Sequence, residues 1–533
     1  MVHSSAALQH QPSQKRNLQG SRNAVRSNPQ SAAARNTRGL ALGKRGEIDA
    51  AIAEFQEAVR LKPDFGDAYS NLGIALQHKG DIDGAIAAFR RAAELNPADA
   101  ELHVSLGSLF HRKGDLTTAI EEFRAAVRLK PTSAEIKSNL GYVLGQAGDL
   151  SGSMAEFENA LKLKPDLAEA HYYLGVAKWL ANDTAGSVRS LREVTRLKPN
   201  HAEAHYYLGA ALLREGKPSD LQEAIKSLRG AVKLKPQFAE AHNSLGIALR
   251  EDGQIDESIA QFQQALKLKP DLIEAHNNLG LTLLQRKNPE GAIAEFQESI
   301  KLDPANTVAL LNMGLALMQK GDTTGAIAAY QTLAAMAPEL VAAHYNMALA
   351  LKQKDDPVNA IMALRRTIAL RPDFADAYFT LGEILLQQSK LDEAMEAVRT
   401  AIKLKSDDAG AHFVLGRILQ RRGDLEAAIT EFRTTLKIAP GSPEVHNALG
   451  AALQQNGERE AAGAEFKEAA RLSKMKNARE AAVLATNTGI ERLRAGEFDS
   501  AIERFEAALK LDPNYSEARN QLNTALRKRG RIK

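Results

Sequence analysis

A proline that recurs at a nearly constant interval constrains this chain more than any other feature of its sequence. The series runs from Pro63 to Pro199 and, after one longer step, from Pro236 to Pro372. A fixed period of about 34 residues is typical of stacked supersecondary units rather than of one globular core. The period therefore predicts an extended binding surface and makes a single catalytic pocket a poor expectation.

Each repeat is predicted to be a hairpin of two helices, as the repeat that begins at Gly66 illustrates. Apolar residues recur at helical spacing over residues 67–79 and again over 83–95. Gly80 and Asp81 separate the two segments, the glycine for a left-handed turn and the aspartate as a helix N-cap. The recurring proline then ends the second helix. The buried face of each hairpin has to be completed by its neighbours.

Three positions of the repeat, counted from Gly66 as position 1, indicate how the hairpin closes. Position 8 is glycine in thirteen of fourteen repeats, with Ala348 as the exception. Position 20 is always small, and position 24 is often aromatic, as at Phe89. A glycine inside a helix costs roughly 1 kcal/mol relative to alanine. We therefore expect position 8 to be where the two helices approach most closely.

These residues resemble the tetratricopeptide repeat family, in which Leu-Gly, a small residue, an aromatic residue and a proline recur in this order. Leu72, Gly73, Ala85, Phe89 and Pro97 match that pattern. The resemblance implies an all-α fold, an α-solenoid of about fourteen helix-turn-helix repeats, each of roughly 34 residues, that coils into a right-handed superhelix. It also implies that the first helices line a concave groove, where partners bind as extended or helical peptides.

The repeat pattern divides the chain into five segments. They are a basic tail over residues 1–31, repeats 1–13 over 32–473, a stretched junction without proline over 474–481, repeat 14 over 482–515, and a capping helix with a basic end over 516–533. The junction is interpreted either as a hinge or as a longer helix. The tail, rich in Ser and Arg and free of acids, is predicted to be disordered, with a transit peptide as the alternative.

Two smaller features follow from the same alignment of repeats. The longer step in the proline series places a short insertion near residues 217–219. In the predicted capping helix, Leu522 and Leu526 are expected to face back onto the array.

Asparagine recurs at position 6 and is the first candidate for ligand binding. The chemistry fits because a carboxamide donates to the C=O and accepts from the N–H of one peptide unit. The pattern is similar to the asparagine ladder in the repeat domain of O-linked N-acetylglucosamine transferases, which implies backbone binding of an extended peptide. The alternative is that asparagine simply belongs to a common version of the repeat. The candidate peptide-binding residues are Asn71, Asn139, Asn278, Asn312 and Asn346.

Aromatic residues at and near position 5 are the second candidate. If position 5 faces the groove, as the family resemblance implies, these residues form two apolar patches able to anchor side chains. The alternative is that they pack between neighbouring helices. The candidates are Tyr172, Tyr206 and Trp179 in the first patch, and Tyr345, Phe379 and Phe413 in the second.

No residue pattern indicates a cofactor, a metal ion or a catalytic centre. The chain has no cysteine, and eight of its histidines stand at position 4, where structural packing is expected. Acids at position 2 are expected to complement the helix dipole. No phosphate-binding loop, His-Glu-x-x-His motif or nucleophile elbow occurs. The prediction is therefore that the chain is not an enzyme.

Charge and hydropathy exclude further classes of partner. The net charge is +4, but the two ends carry thirteen of the positive charges, so residues 47–526 have a net charge of −9. A nucleic-acid binder is expected to carry a basic stripe along its body. No apolar stretch is long enough to span a membrane. We therefore expect neither nucleic acid nor a membrane span, and a cytoplasmic location, with organellar import or the periplasm left open.

The sequence thus favours a non-catalytic scaffold that binds extended peptide segments or partner proteins in the concave groove. The repeats leave no room for a catalytic domain in this chain. The alternative is a substrate-recruiting arm of a glycosyltransferase-type or secretion and assembly complex whose catalytic part is another chain. The identity of the protein partner cannot be read from the sequence.

Overall fold

The structure is a computed structural model that describes residue 20 and residues 22–532, with only the backbone described at 531 and 532. Every regular element in that range is a helix, which confirms the predicted all-α class. Residues 22–27, part of the tail predicted to be disordered, are helical, whereas residues 1–19, 21 and 533 lie outside the described residues. No helix in the described range is long and apolar enough to cross a membrane.

The chain divides into two compact units, residues 1–282 and 283–533. In both units, helical hairpins follow one another in the order that the sequence predicts. The helices before the boundary are α1 (Ala32–Gly43), α2 (Ile48–Leu61), α3 (Gly66–Lys79), α4 (Ile82–Leu95), α5 (Ala100–Lys113), α6 (Leu116–Leu129), α7 (Ala134–Gln146), α8 (Leu150–Leu163), α9 (Ala168–Leu180), α10 (Thr184–Leu197), α11 (Ala202–Glu215), α12 (Leu221–Leu234), α13 (Ala239–Glu251) and α14 (Ile255–Leu268).

The next helix, α15 (Ile273–Gln285), contains the boundary. After it come α16 (Pro289–Leu302), α17 (Thr307–Lys320), α18 (Thr323–Met336), α19 (Val341–Gln353), α20 (Pro357–Leu370), α21 (Ala375–Gln387), α22 (Leu391–Leu404), α23 (Ala409–Arg422), α24 (Leu425–Ile438), α25 (Pro443–Gln455), α26 (Arg459–Arg494), α27 (Phe498–Leu511) and α28 (Ser516–Ile532). Odd-numbered helices up to α25 are the first helices of repeats 1–13. Even-numbered helices from α2 to α24 are the second helices of repeats 1–12.

The turns inside the hairpins have the chemistry that the sequence predicts. Gly80 adopts a left-handed conformation with φ of +90°, which an L side chain rarely adopts. The next residue, Asp81, accepts a hydrogen bond from the backbone N–H of Gly84 at 2.9 Å and caps α4. Asp115 caps α6 in the same way. The short turns keep the two helices of a repeat antiparallel and adjacent.

Position 8 is the point of close approach, as expected. A Cβ atom added at Gly246 would lie 2.6 Å from the ring of Phe262, and one added at Gly314 would lie 2.3 Å from the ring of Tyr330. Position 20 is buried beside this contact. At Ser258 and Ser187 of this position, the hydroxyl donates to the carbonyl of the glycine at position 8, 2.7 Å from Gly246 O and 2.8 Å from Gly175 O. The aromatic residue at position 24 therefore lies directly on the backbone of the first helix.

The two departures from the regular period have different structures. The insertion forms a short 3-10 helix, Pro218–Asp220, ahead of α12. The stretched junction over residues 474–481 is entirely helical, and α26 runs without interruption for 36 residues. Of the two interpretations of the junction, the longer helix is the one observed.

The final helix, α28, packs back onto the last hairpin with residues other than those expected. Leu522 packs against Phe505 and Leu493 as predicted. Leu526 is 41% exposed, so the expectation that it faces the array was wrong. Ala518 and Ala525 are fully buried instead. Small residues fill this contact because α28 lies close to its neighbours, as first helices do throughout the array.

Candidate functional site

The predicted site residues all lie on first helices. Ten of the predicted residues occupy positions 5 and 6, directly ahead of positions 7 and 8. Trp179 stands two turns further along, at position 12. Ten of the eleven residues are half-buried, and Asn312 is buried with 8% exposure. We call the surface that they share the first-helix surface, and it is described separately for each compact unit.

Asparagine side chains link neighbouring first helices in the first unit. The side-chain amide of Asn71 donates to Oδ1 of Asn36 at 3.0 Å, and that of Asn278 donates to Oδ1 of Asn243 at 3.3 Å. Arg250 lies beside the second pair, with Nη1 3.5 Å from Oδ1 of Asn278. Two of the five predicted amides are therefore already engaged within the protein, and binding a peptide backbone would require them to exchange or share these hydrogen bonds.

The other three predicted asparagines are differently placed. Among the described residues, nothing hydrogen-bonds to the side-chain amides of Asn139, Asn312 and Asn346. A buried or half-buried amide without a partner loses solvation and gains nothing in return. Asn312 and Asn346 are both in the second unit, on successive first helices. The amides of Asn139, Asn312 and Asn346 are therefore available to bind a ligand. Those of Asn71 and Asn278 are already engaged within the protein.

A continuous series of aromatic rings crosses three successive first helices, α7, α9 and α11, in the first unit. Ring centroids are 4.8 Å apart for Tyr142 and Tyr173, 5.2 Å for Tyr173 and Tyr172, and 6.4 Å for Tyr172 and Tyr207. The ring of Tyr207 also lies 5.0 Å from that of Tyr206 and 6.5 Å from that of Trp179. We define this aromatic band as Tyr142, Tyr172, Tyr173, Trp179, Tyr206 and Tyr207.

Trp179, at one edge of the band, carries a cation on its face. The guanidinium carbon of Arg214 lies 3.3 Å from the ring centroid, and Nη1 of Arg214 donates to the Trp179 carbonyl at 3.2 Å. This arrangement combines a cation–π contact with a hydrogen bond to the next repeat. It fixes the indole in place and leaves it half-buried.

Beside the band lies a cavity of about 460 Å³ in the loop between α10 and α11, lined by Lys198, Pro199, Asn200, His201 and Glu203. A second cavity of about 130 Å³ adjoins it and reaches the rings of Tyr172 and Tyr173. Tyr172 and His201 stand 4.6 Å apart between the two cavities. Burial raises the pKa of Tyr172 and lowers the pKa of His201, so both rings are kept neutral at neutral pH.

The predicted patch of the second unit makes contacts of a different kind. The ring of Tyr345 lies 4.8 Å from that of Phe374, and Phe413 lies 5.8 Å from Phe432. Phe379 approaches Gly410, where an added Cβ would lie 3.4 Å from the ring. Tyr345 thus contacts the loop before α21, Phe379 contacts the next first helix and Phe413 contacts the second helix of its own repeat. The three rings do not form a continuous series with each other. The apolar character of this surface is therefore more dispersed than that of the aromatic band.

The histidines at position 4 have a recurring structural role. A carbonyl oxygen only accepts, so Nε2 donates in seven of the eight rings, for example from His171 to Pro165 O at 2.9 Å and from His412 to Ser406 O at 3.1 Å. Nδ1 of His412 also lies 2.6 Å from a carboxylate oxygen of Glu431. In the described part of the chain, no group of three or more His, Asp or Glu side chains is placed to hold a metal ion.

Sequence reasoning missed the ion pairs that the position-2 acids form. Five of the nine position-2 acids are paired with the lysine that precedes the proline of the same repeat, for example at 3.0 Å for Glu135 with Lys164 and 2.9 Å for Glu203 with Lys235. The hydrogen bond from Lys235 lowers the pKa of Glu203. The recurrence of lysine directly before the proline was the available signal. Tyr142 was missed as well, because it stands at position 9, one turn beyond position 5.

The fold and the site together define a helical-hairpin repeat protein with an aromatic and amide-bearing surface on its first helices. Comparison with protein-family models matches the tetratricopeptide repeat at residues 70–134, 177–220, 346–409 and 486–533, and again at 283–352. A model described as TPR repeat matches residues 39–80, 144–182, 248–286 and 416–457. The chain belongs to the tetratricopeptide repeat family.

Comparison with curated proteins gives no match. Solved structures that resemble the chain include YrrB, described as a TPR protein with an unusual peptide-binding site, at 24% identity over 36% of this chain and 97% of that one, with a TM-score of 0.33. Yeast Tom70 is 17% identical over 82% of this chain and 96% of its own, with a TM-score of 0.35. MamA from Desulfovibrio magneticus RS-1 is 25% identical over 32% of this chain and 96% of its own, with a TM-score of 0.30.

Proposed function

We propose that this protein is a non-catalytic scaffold that binds extended peptide segments of partner proteins on its first-helix surface. Tetratricopeptide repeats mediate protein–protein and peptide interactions, and the proposal places that activity on particular residues of this chain. The observation that carries it is the aromatic band, six half-buried rings in contact with one another across successive first helices.

The band supplies anchoring energy for apolar side chains. Half-buried aromatic rings present a rigid apolar face at low conformational cost, which is the property that concentrates binding energy at interfaces. The two cavities beside Tyr172 and His201 give one side chain of a peptide a place to insert. We therefore expect the first unit to select peptides that carry an aromatic or large aliphatic residue.

The unpartnered amides supply binding that does not depend on sequence. Asn312 and Asn346 carry donors and acceptors that no described residue uses, and a peptide backbone offers the matching groups at every residue. Each hydrogen bond contributes roughly 1 kcal/mol net. The second unit is thus expected to hold a peptide weakly and with little side-chain preference, while the first unit provides selectivity.

Selection from a random peptide library on the full-length chain, followed by affinity measurement with labelled peptides, tests this proposal. The variant Asn278→Ala, Asn312→Ala, Asn346→Ala removes amides from the surface, and Tyr172→Ala, Tyr206→Ala removes two rings. The matched control is Asn96→Ala, Asn514→Ala, Asn520→Ala, which changes three exposed asparagines elsewhere.

We expect the ring variant to lose at least tenfold in affinity, the amide variant to lose less, and the control to be unchanged, with circular dichroism verifying that all remain folded. Equal affinities for the wild type and both folded surface variants would exclude the first-helix surface as the binding site.

A further inference from the structure

Position 24, the aromatic or aliphatic residue that closes each hairpin, is buried in every described repeat but one. Phe466 of repeat 13 is 37% exposed, whereas Phe432 and Phe505, its equivalents in the repeats on either side, are fully buried. The same position in the other described repeats is at most 3% exposed, at Phe55, Phe89, Phe123, Phe157, Leu191, Leu228, Phe262, Phe296, Tyr330, Leu364 and Val398.

The continuous helix α26 accounts for this exposure. Elsewhere, the first helix of the next repeat folds back over position 24, as Ala170 and Leu174 do over Phe157. In repeat 13 no proline ends the second helix, and residues 474–481 extend it to Arg494. The segment that would cover Phe466 continues along the same axis instead. One face of repeat 13 is left without its neighbour.

The sequence of repeat 13 is adapted to this open face. Position 21 is a buried isoleucine in the adjacent repeats, Ile429 and Ile502. In repeat 13 it is Gly463, where an added Cβ would meet nothing within 4 Å. The open face of repeat 13 is therefore centred on Phe466 with a shallow depression at Gly463.

A second open face lies further along the same helix. Position 3 of a first helix packs on the preceding repeat and is buried elsewhere, as at Ala411 and Val445. In repeat 14 this position is Leu484, which is 69% exposed and is larger than most of its equivalents. Repeat 14 thus lacks a preceding repeat to pack on, while repeat 13 lacks a following one.

Positions 24 and 3, which lie on these two faces, contact each other between successive repeats elsewhere in the array. The two faces themselves cannot meet within one chain. Phe466 and Leu484 both lie on α26, separated by about 27 Å at the helical rise of about 1.5 Å per residue. A second copy of the chain carries the same two faces in the same order. Two copies aligned antiparallel along α26 would bring each Phe466 to the partner's Leu484.

We propose that two copies of this protein form a dimer by reciprocal stacking, repeat 14 and α28 of each copy covering repeat 13 of the other. Such an interface is closed and two-fold symmetric, because each contact occurs twice, and it therefore ends at the dimer. It uses the packing of positions 3 and 24 that already joins successive repeats. The inference does not depend on the proposed peptide-binding function, since the first-helix aromatic band lies in the other compact unit.

Light scattering coupled to size-exclusion chromatography of the full-length chain gives the first test. We expect a particle of twice the 57.8 kDa chain mass for the wild type and of one chain mass for Phe466→Glu and for Leu484→Glu. Leu484 is 69% exposed, so Leu484→Glu leaves the fold of a single copy intact. Phe466 still packs on Gly450, so circular dichroism has to verify that Phe466→Glu remains folded. Val358→Glu, at a residue that is 68% exposed on another helix, is the matched control and should remain dimeric.

A cross-link separates reciprocal stacking from folding back within one chain. The chain has no cysteine, so Phe466→Cys with Leu484→Cys introduces one cysteine on each open face, at positions 24 and 3, which pack together between successive repeats elsewhere, as Phe157 and Ala170 do. Reciprocal stacking predicts an oxidised dimer on a non-reducing gel. An oxidised monomer, or a wild type with the mass of one chain, would overturn the proposal.

Discussion

At the scale of single residues, the contact between position 8 and position 24 sets the distance between the two helices of a repeat. Gly246 and Phe262 illustrate it, with no room for a Cβ atom at the glycine. The only repeat with alanine at position 8, at Ala348, carries Leu364 rather than an aromatic ring at position 24. The size of one residue therefore limits the size of the other.

Gly246→Ala is expected to destabilise the protein, although alanine is the better helix former. The added methyl group would lie 2.6 Å from Phe262, and overpacking of a closed core costs roughly 1–3 kcal/mol. Gly463→Ala is the control, because its Cβ meets nothing and alanine gains about 1 kcal/mol in a helix. Urea unfolding followed by circular dichroism should move the midpoint in opposite directions for the two variants. A midpoint shift of the same sign in both variants would contradict the close contact between positions 8 and 24.

Tyr330→Phe is expected to stabilise the protein and to change its pH dependence. Within the described structure the buried hydroxyl of Tyr330 has no hydrogen-bond partner, a deficit worth about 1 kcal/mol. Burial raises the pKa of Tyr330 to about 12 from its usual value of 10. The folded state therefore retains the proton more strongly, and the associated stability is complete below pH 10 and lost as the pH rises towards 12.

Comparison of the unfolding midpoints of wild type and Tyr330→Phe at pH 8 and pH 11, values chosen on either side of the usual tyrosine pKa of about 10, isolates this residue from the other tyrosines. The variant should be the more stable at pH 8 and should lose less stability at pH 11. A wild type that is more stable at pH 8 would mean that the hydroxyl is satisfied by bound water.

The sequence predicted these residue-level constraints unevenly. Glycine at position 8 was interpretable because its cost in a helix demands a compensating contact. The engagement of Asn278 by Asn243 was not predictable, because it depends on the lateral offset between successive helices. Leu526 was misassigned for a related reason: helical periodicity gives a face, but the residues of α28 that are fully buried are Ala518 and Ala525, with Leu522 packed beside them.

At the scale of elements, the ends of helices decide how the repeats connect. Second helices end at an extended residue before the recurring proline, as at Lys164, where φ is −139°. The His at position 4 then ties this loop to the following repeat. The period and the helix ends were predictable from proline, glycine and aspartate, whereas the fate of residues 474–481 was not, since a stretch of good helix formers is compatible with a helix or with a hinge.

Amide hydrogen exchange provides a direct test at the junction. We expect the amides of residues 474–481 to exchange as slowly as those in the middle of other helices, because each is bonded within α26. Residues 405–408, an ordinary loop between repeats, serve as the internal comparison. Fast exchange across 474–481 would identify the junction as a hinge.

Removing a position-4 histidine is expected to loosen the loop that it ties. His412 makes two hydrogen bonds, to Ser406 O and to Glu431, whereas His171 makes one, to Pro165 O. At about 1 kcal/mol per bond, and more for the carboxylate, His412→Ala should cost more than His171→Ala. The faster exchange of amides in the loop before each histidine measures the effect. Equal changes in the two loops would show that the carboxylate contact adds nothing.

At the scale of the whole molecule, the charge distribution predicts that the repeat body does not attract nucleic acid. Residues 47–526 carry a net charge of −9, and five of the nine position-2 acids are paired with lysines of their own repeats. Binding is therefore expected to rest on apolar contacts and amide hydrogen bonds.

Peptide affinity should accordingly depend little on salt. We expect less than a threefold change for a selected uncharged peptide on raising salt from low to high concentration, in contrast to the steep loss seen when cations bind phosphates. Fluorescence polarisation measures the affinity for the labelled peptide and for a labelled single-stranded RNA at each salt concentration. Tight RNA binding with a steep salt dependence would contradict this assignment of partners.

The continuous helix α26 also bears on how the protein loses its structure. In a repeat array each hairpin is stabilised by its own contacts and by those with its neighbours, so the loss of one interface divides the array thermodynamically. Repeats 13 and 14 share a backbone helix but not the packing that joins other repeats. Residues 482–532 are therefore a separate cooperative unit in an isolated chain, the first to melt and the first to be exposed to proteases.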